Sequence, residues 1–573
     1  MKKFFCYLFL IGIAVHPLHA TPLNVVQFEL RERVYVQTDK QLYLSGEPIL
    51  LKFVTTDPEN IPLVFSKVAY AELVDNSVSR IQIMVELHNG TGAGRMQLPA
   101  DLPTGYYRLV AYTQFMRNEG ADVFFEKNIA VMNTFQLENY PDEEVQHAGD
   151  VELSGRPHIS NAIDLRTDNA IYPTRTRGEL ILDGLPENIH TLSVTIAGKE
   201  FLPVAGSGAA LFEKNRTKNP DSNATASQRM EFLPEYEGHI ITGKIVDNQT
   251  GTHLADSQTD DILMVTGLAF PGEGIRFFPG QKSEPGSVRF YTSGISGMKE
   301  IATTVYHVDE KYRVDIQSPF INRYSPKPMP ALLIDSAYYG QLLDRSVALQ
   351  VFHYFSEASS VNISHPHFNM KPTYTYLMDE YTRFTTMREV FIEFITGARF
   401  RSNAGKQEIS VLTRRGRNLV YGNMPLVLLD GVPVSNHDAI YNYDPLTVEK
   451  INIYYGPRIL GGYQFDGIVE LTTYRRNHAD LNLNRSAQIF TYETPQPSFL
   501  LDTPDYSEEK NRQSRIPDGR HTLVWNPDVR IDSKTSIQLP FDTSDLTGEF
   551  QATVEGITSD GQFIYATSFF MVE

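Results

Sequence analysis

Apolar and polar residues alternate in short runs over the first hundred residues after Leu30. Within Ile49–Val54 every second side chain faces the same way, and polar turns such as Ser45–Pro48 separate one run from the next. Strands of this kind with polar turns between them are typical of a β-sandwich. The pattern therefore predicts one sandwich over residues 30–133.

The same β pattern returns further along the chain. A polar stretch at 214–228, rich in Asn, Thr and Ser, is interpreted as a loop within one of these β regions. The further β regions are a second sandwich over 150–232, a third sandwich over 236–322 and a sandwich segment over 475–573. The predicted fold class is thus mainly β and multidomain, with Ig-like β-sandwiches.

The last β region has the clearest alternation. Phe550, Ala552 and Val554 occupy one face of a strand, and polar residues occupy the other. The apolar ending Phe563–Val572 is interpreted as a buried edge strand of the last sandwich. We therefore expect a sandwich here rather than lipid-facing strands.

A helical period replaces the alternation between residues 336 and 355. We predict one helix there, packed on a neighbour, inside a helical connector over 323–380. The apolar residues that carry the period are Leu342, Leu343, Val347, Leu349 and Phe352.

Residues 381–474 mix helix and strand signals. Thr386 and Glu389 have the spacing of a capping box, which predicts a helix of about 11 residues. Leu426–Leu429 reads as an unbroken apolar strand, and Asp430-Gly431 after it tolerates the positive φ of a tight turn. The segment is therefore predicted to be an α+β unit.

The second half of this unit repeats the order of helix and strand. Asp444 caps a second short helix in the prediction, with Pro445 preset for its first turn. The strand Ile451–Tyr455 follows directly. Gly461-Gly462 and the strand Phe465–Thr473 close the unit.

The first residues, 1–20, have the layout of a cleavable signal peptide. Lys2 and Lys3 precede an apolar run of about 12 residues, whereas a membrane-spanning helix needs roughly 20. Cys6, the only cysteine, lies in this leader, so the mature chain has no disulfide or thiolate site. We expect an exported protein of a Gram-negative periplasm, associated with the outer membrane and without a transmembrane segment after cleavage.

The net negative charge of the chain disfavours one class of partner, nucleic acid. The formal net charge is −18, with 69 acidic and 51 basic residues. An acidic chain repels phosphate backbones, so we expect no nucleic-acid partner. Hydrophobic residues make up 41% of the chain, which is enough for ordinary cores.

Two separated segments resemble the macroglobulin-type (MG) domain of exported Bacteroidetes proteins. They are Val34–Lys40 with Tyr43–Pro48, and Leu102–Thr113 with Met116–Asn118. The region 150–232 resembles the next MG module more faintly. The resemblance does not imply a protease trap, because the thioester of large macroglobulins needs a cysteine that the mature chain lacks.

Two further resemblances concern the middle of the chain. Ile240–Val246 with the turn Asp247–Gly251 resembles the opening of the regulatory β-sandwich found beside carboxypeptidases. Residues 381–474, with the Leu-Asp-Gly turn at 429–431 and the Gly-Ile-Val strand at 467–469, resemble the plug domain of TonB-dependent outer-membrane receptors. Such a receptor needs at least roughly 200 further residues for its barrel. About 100 follow Thr473, so we expect no barrel from this chain.

Motifs for catalysis or metal binding are missing from the sequence. It has no His-Glu-x-x-His, Walker loop, Gly-x-Ser-x-Gly or EF-hand pattern. His365 and His367 fall short of the four ligands of a structural zinc site, and the glycine-rich Asn89–Gly94 reads as a turn. We predict no enzyme, no catalytic, cofactor-binding or metal residue and no cofactor, and leave binding residues unassigned.

Two hypotheses of function follow. The first is a non-enzymatic envelope protein that docks to, or scaffolds, an outer-membrane transport or secretion barrel made by another chain. The second is a periplasmic or surface protein that binds peptide or glycan. A hidden enzymatic site is a third, disfavoured reading, because active sites can arise on any fold without a motif.

Overall fold

The computed structural model describes most of the chain after residue 29. The predicted leader 1–20 with Cys6, the predicted loop 214–228, Gly461-Gly462 and both His365 and His367 lie outside the described residues. The described residues are 30–135, 163–200, 212, 231–254, 266–272, 275–283, 286–305, 311–332, 334, 336–355, 370–416, 418–460, 463–476, 487–531 and 536–573.

Strands dominate these residues. The strands before residue 320 are β1 (Arg33–Thr38), β2 (Leu42–Leu44), β3 (Pro48–Thr56), β4 (Val68–Asp75), β5 (Val78–Glu86), β6 (Thr91–Gln97), β7 (Gly105–Tyr112), β8 (Phe125–Met132), β9 (Asp164–Thr167), β10 (Ile171–Tyr172), β11 (Arg177–Asp183), β12 (Ile189–Gly198), β13 (Ile240–Asp247), β14 (Thr266–Ala269), β15 (Phe277–Pro279), β16 (Gln281–Lys282), β17 (Ser287–Tyr291), β18 (Met298–Val305) and β19 (Tyr312–Ile316).

The second part of the chain holds the remaining strands and the α-helices. The strands are β20 (Tyr374–Leu377), β21 (Ala398–Asn403), β22 (Lys406–Arg415), β23 (Asn418–Gly422), β24 (Leu426–Leu429), β25 (Val432–Pro433), β26 (Val448–Leu460), β27 (Tyr463–Thr473), β28 (Ala487–Glu493), β29 (Thr522–Asn526), β30 (Ser536–Asp542), β31 (Gly548–Thr558) and β32 (Phe563–Val572). The α-helices are α1 (Tyr339–Phe355), α2 (Met387–Glu393), α3 (His437–Tyr441) and α4 (Glu509–Arg512). Short 3-10 helices cover Phe115–Glu119, Ala121–Val123, Ser336–Tyr338, Met378–Glu380 and Pro445–Thr447.

Sandwich 1 comprises β1 to β8. A three-stranded sheet, in the order β1-β3-β6, packs on a five-stranded sheet in the order β2-β8-β7-β4-β5. The core between them is rich in aromatic residues, and Tyr70, Tyr112 and Phe124 stack on one another inside it. The predicted turn covers only the start of the glycine-rich segment, with Asn89 at φ 53° and Gly90 at φ 78°, because β6 already begins at Thr91.

Sandwich 2 is built from two distant parts of the chain. One sheet has the order β10-β32-β31-β12-β29 and the other β30-β11-β9. The sequence divided these strands between a second sandwich, 150–232, and a separate C-terminal segment, 475–573, but the strand pairing joins them into one body. Alternation specifies the apolar face of each strand and not its neighbour, so the pattern could not reveal this pairing.

The C-terminal strand also differs from its predicted position. β32 lies second from the edge, because β10 pairs with its last residues in parallel and β31 pairs along its length. Phe550, Ala552 and Val554 are buried on one face of β31, as the alternation predicts.

Sandwich 3 has its sheets in the orders β16-β17-β13-β19 and β15-β14-β18-β28. The predicted boundaries, 236–322, miss β28. This strand lies far along the chain and pairs with β18 over Met298–Thr304. Sandwich 3, like sandwich 2, is therefore completed by chain that comes after residue 476.

The connector helix α1 is 17 residues long and packs on the edge of sandwich 1. Its buried side agrees with the prediction in part, since Leu342 is buried and Leu349 packs against the same cluster, while Leu343 and Val347 are 47% and 60% exposed. Arg345 takes their place in the contact. Its Nη2 and Nε donate to the Glu47 carboxylate at 2.7 and 2.9 Å.

The remaining sheets form an α+β body, which we call the 370–476 module. A five-stranded sheet in the order β20-β26-β27-β24-β25 packs on a three-stranded sheet in the order β21-β22-β23, with α2 and α3 beside them. The predicted unit, 381–474, omits β20, which pairs with β26 from within the predicted connector. A second apolar cluster, including Phe277 and Phe465, joins the module to sandwich 3.

Buried polar contacts hold the sandwiches together. The Glu235 carboxylate accepts from the Tyr70 hydroxyl at 2.9 Å, and the two nitrogens of His239 contact Glu235 and the Tyr492 hydroxyl, each at 2.8 Å. This chain of contacts links sandwich 1 to sandwich 3. Sandwich 2 is linked to sandwich 1 through Tyr35, whose hydroxyl donates to Glu555 at 2.9 Å.

No helix among the described residues is both long and apolar enough to cross a bilayer.

Lys52 is buried where sandwich 2 covers the sheet of β1, β3 and β6, with 3% of its surface exposed. Burial lowers its pKa to about 7, and the charges of Asp528 and Glu555 oppose that change only in part. A folded-state pKa below the unfolded value means that the folded state resists protonation. The stability cost is therefore complete below about pH 7 and disappears as the pH rises toward the ordinary lysine pKa.

We predict that Lys52→Met raises the free energy of unfolding at pH 6 by about 2 kcal/mol, because a buried charge is replaced by an apolar side chain. The gain should shrink between pH 7 and pH 10. Urea unfolding followed by the fluorescence of Trp525 measures both effects. Lys510→Met, at an exposed position, is the control, and an equal gain in both variants would contradict the prediction.

Candidate interaction surfaces of the 370–476 module

The start of α2 follows the predicted capping box. The Thr386 hydroxyl accepts from the Glu389 amide at 3.3 Å and donates to the Glu389 carboxylate at 2.8 Å. The helix is shorter than predicted, with seven residues instead of about 11. The chain leaves the helix at Phe394 and turns at Gly397, whose φ of 81° and contact with the Tyr455 ring leave no room for a side chain.

The Asp430-Gly431 turn is confirmed, with φ values of 48° and 84°. The Asp430 carboxylate accepts from the amide and hydroxyl of Thr473 at 2.7 and 2.6 Å. It therefore also ties the turn after β24 to the end of β27.

The predicted Asp444 cap is present, but the element that it starts is different. Asp444 accepts from the Leu446 amide at 2.9 Å, and a 3-10 helix of three residues, Pro445–Thr447, follows. It cannot extend, because β26 begins at Val448. The helix α3 just before it was not predicted.

The first candidate surface is an aromatic group at the β20 edge of the larger sheet, which we call the aromatic edge. Tyr381 stacks on Phe394 with ring centroids 4.4 Å apart, and Tyr374 lies 5.3 Å from Tyr455. Tyr374 is 44% exposed and Tyr381 37% exposed. The members of the aromatic edge are Tyr374, Tyr376, Tyr381, Phe384, Phe394 and Tyr455.

Two hydroxyls of the aromatic edge form hydrogen bonds with the backbone of Thr396. The Tyr376 hydroxyl accepts from the Thr396 amide at 2.8 Å, and the Tyr455 hydroxyl donates to the Thr396 carbonyl at 2.6 Å. Burial is the main cause that raises the pKa of Tyr455. The rings are thus held in place while the neighbouring Tyr374 and Tyr381 present surface to solvent, an arrangement suited to a protein or sugar contact.

The second candidate surface is an open cleft of about 590 Å³ beside α3. Asp438 accepts from the Gln407 amide at 2.8 Å through Oδ1, and Asp444 uses its own Oδ1 as the helix cap. The cleft can therefore offer carboxylate and amide oxygens to hydroxyl or amine groups. It is lined by Asn436, Asp438, Ala439, Asn442, Tyr443, Asp444 and Thr447.

We find no metal-binding cluster in the described part of the chain. Its histidines and acids include no group of three or more placed to hold a metal ion. The prediction that Glu389, Asp430 and Asp444 have structural roles agrees with the contacts that each of them makes.

The sequence did not identify either surface. Composition alone does not separate exposed tyrosines from core tyrosines, since sandwiches contain many buried aromatics. A usable signal was the alternation Tyr374-Thr375-Tyr376-Leu377, which marks a short strand with aromatics on one side. The cleft depends on α3, and the usable signal for that helix was Asn436, a preferred N-cap residue whose side-chain oxygen accepts from the Asp438 amide at 3.1 Å.

The fold and these surfaces define a class of protein: a mainly β, multidomain chain of Ig-like sandwiches that carries one α+β module. No family model and no curated protein matches the chain. Similarity is found only among solved structures.

These structures include bacterial alpha-2-macroglobulins. The Escherichia coli protein activated by porcine elastase is 11% identical, with a TM-score of 0.24, over 95% of this chain and 44% of that one. The Salmonella protein reacted with methylamine is 10% identical, with a TM-score of 0.23, over 96% and 40%. The chain thus spans less than half of the length of these macroglobulins.

An adhesin is also similar to this chain. The Escherichia coli adhesin FdeC is 11% identical, with a TM-score of 0.13, over 51% of this chain and 63% of that one. At such low TM-scores these similarities carry no argument about activity or partners.

His437, at the start of α3, provides a test of the module's local structure. Its Nδ1 accepts from the Ile409 amide at 3.0 Å, which requires an unprotonated nitrogen. Burial lowers the pKa of His437 to about 4, against smaller opposing effects of Glu408 and Asp438. Because the folded-state pKa is depressed, the stabilisation is complete above the ordinary histidine pKa and is lost as the pH falls toward 4.

We predict that the hydrogen-exchange protection of the Ile409 amide falls as the pH is lowered from 6.5 to 4, after correction for the intrinsic exchange rate. His437→Gln should remove most of this pH dependence, since its side-chain oxygen accepts at every pH. The matched control is His88→Gln at an exposed position. A wild-type protection factor that is constant over this range would contradict the prediction.

Proposed function

We propose that this chain is a non-enzymatic protein of the cell envelope that docks through its 370–476 module to an outer-membrane transport or secretion barrel. The aromatic edge carries the proposal, because it places partly exposed tyrosines together on ordered strands. Tyrosine is enriched at protein interfaces, where large rings lose little conformational entropy on binding. The resemblance of 381–474 to a receptor plug supports a barrel as the partner.

The sandwiches act as the scaffold in this proposal. Buried contacts such as Glu235 with Tyr70 and Glu555 with Tyr35 join neighbouring sandwiches through charged or polar groups that cannot separate without losing their partners. The Phe277–Phe465 contact, at 5.3 Å between ring centroids, joins the module to sandwich 3. A rigid support lowers the ordering cost that binding would otherwise carry.

The location follows from the same proposal. A leader at residues 1–20 directs export, and docking to a barrel holds the mature chain in the periplasm at the outer membrane. With a net charge of −18, the chain is unsuited to nucleic acid.

A second candidate function is the binding of a peptide or glycan. The cleft of about 590 Å³ favours it, because its volume lies in the usual range of ligand sites and its lining is rich in amide and carboxylate groups.

We predict that Tyr374→Ser combined with Tyr381→Ser lowers the recovery of an outer-membrane barrel protein about tenfold or more when the tagged chain is purified from cells in mild detergent. The expected size reflects the loss of two interface tyrosines. The recovered proteins are identified and quantified by mass spectrometry. Tyr236→Ser, at a 56% exposed position in the approach to sandwich 3, is the matched control.

The same experiment separates the two functions. Failure of the wild-type chain to recover any barrel protein would refute docking. Binding of the purified wild-type chain to an array of glycans or peptides, lost in Asp438→Asn but kept in the double tyrosine variant, would favour the cleft. Melting temperatures of all variants show whether the fold is retained.

A further inference from the structure

One segment of this acidic chain has the opposite charge. The whole chain has a net charge of −18, yet residues 398–422 contain six basic residues and one acidic residue. Five of these basic residues lie on β21 and β22, which form a three-stranded sheet with β23 in the 370–476 module. Positive charge is therefore concentrated on one small structural element of an acidic protein.

The strand register divides this sheet into two faces. Arg399 pairs with Ser410, Arg401 with Glu408, and Arg414 with Leu419, so these side chains share one face. The other face holds Ala398, Ile409 and Val411, which are buried in the core of the module. The face with the arginines is thus directed away from the core, and we call it the cationic face.

The guanidinium groups of the cationic face are partly fixed. The Arg399 guanidinium lies 3.8 Å from the centroid of the Tyr421 ring. Arg401 donates from Nη1 to the Asn423 side-chain oxygen at 3.0 Å. Both arginines remain exposed, as does Arg414. A fixed guanidinium can present two parallel N–H groups to a phosphate, which a lysine cannot do.

Carboxylates do not neutralise this face. Within the described residues neither Arg399 nor Arg414 forms an ion pair, and the register puts one acidic residue, Glu408, among the ten positions of the face. Glu408 accepts from the Asn403 side chain at 3.0 Å. The face therefore keeps a net positive charge toward solvent.

An apolar residue lies among the arginines. Leu419 is 58% exposed and sits directly opposite Arg414 in the register. Arginines around an exposed leucine and a tyrosine ring make an amphipathic pattern that suits the boundary between lipid headgroups and acyl chains. A small anion in free solution would not bury the leucine side chain, whereas a lipid surface would.

We propose that the cationic face binds the phosphate groups of anionic phospholipids at a membrane surface. Leu419 enters the headgroup boundary while Arg399, Arg401 and Arg414 contact phosphates. The acidic remainder of the chain orients the molecule with this face toward the membrane, and salt screens repulsion beyond about 10 Å. The proposal uses a different surface from the aromatic edge and does not depend on docking to a barrel.

The test uses the purified full chain and two kinds of vesicle, one of phosphatidylcholine alone and one with about one third phosphatidylglycerol. We expect co-sedimentation with the anionic vesicles only, weakened by added salt. Replacing Arg399, Arg401 and Arg414 by Gln should lower the partition coefficient about a hundredfold, because each basic residue contributes about fivefold. Leu419→Ser should lower it severalfold without changing the charge.

The matched control replaces Arg80, Arg166 and Arg512 by Gln, which removes the same charge from exposed positions elsewhere and should leave vesicle binding unchanged. Equal wild-type binding to both vesicles, or full binding by the cationic-face variant, overturns the proposal. Loss of a recovered barrel protein in that variant with vesicle binding intact also overturns it, in favour of an acidic protein partner. Vesicle binding by the Tyr374 and Tyr381 variant supports it whatever the outcome for docking.

Discussion

The fold depends on the pairing of strands that are far apart in the chain. The Ser193 hydroxyl donates to the Glu555 carbonyl across 362 residues of sequence, where β12 meets β31 in sandwich 2. Closing a loop of this size lowers the conformational entropy of the chain before the contacts that offset this loss can form. Sandwich 2 therefore forms only after its two parts have been brought together. Once formed, sandwich 2 covers one sheet of sandwich 1 and buries charged groups there, such as Lys52.

This long-range pairing explains how the module is held. The chain leaves sandwich 3 after β19, forms α1 and the 370–476 module, and returns to sandwich 3 through β28. The module is thus an insertion with both ends anchored in formed sheets. An apolar contact between Phe277 of sandwich 3 and Phe465 of the module holds the inserted module in a further place. A surface mounted in this way needs little ordering when it binds, which favours an interaction role.

The three surfaces of the module differ in chemistry. The aromatic edge presents rings whose neighbours Tyr376 and Tyr455 are pinned by Thr396, the cleft presents amide and carboxylate oxygens, and the cationic face presents guanidinium groups around Leu419. The aromatic edge lies at the β20 edge of the larger sheet, the cationic face lies on the smaller sheet, and the cleft lies beside α3. One module could therefore contact a membrane and a protein at the same time, because neither contact consumes the residues of the other.

Local signals in the sequence determined the short-range features of this protein. The Thr386 cap, the Asp430-Gly431 turn and the Asp444 cap involve residues within three positions of each other, and alternation located the buried face of β31. Only the tertiary structure decided that β28 completes sandwich 3, that β20 extends the module and that Leu343 lies exposed. Periodicity identifies which side of an element is apolar, but the neighbour that covers it depends on contacts between residues far apart in the chain.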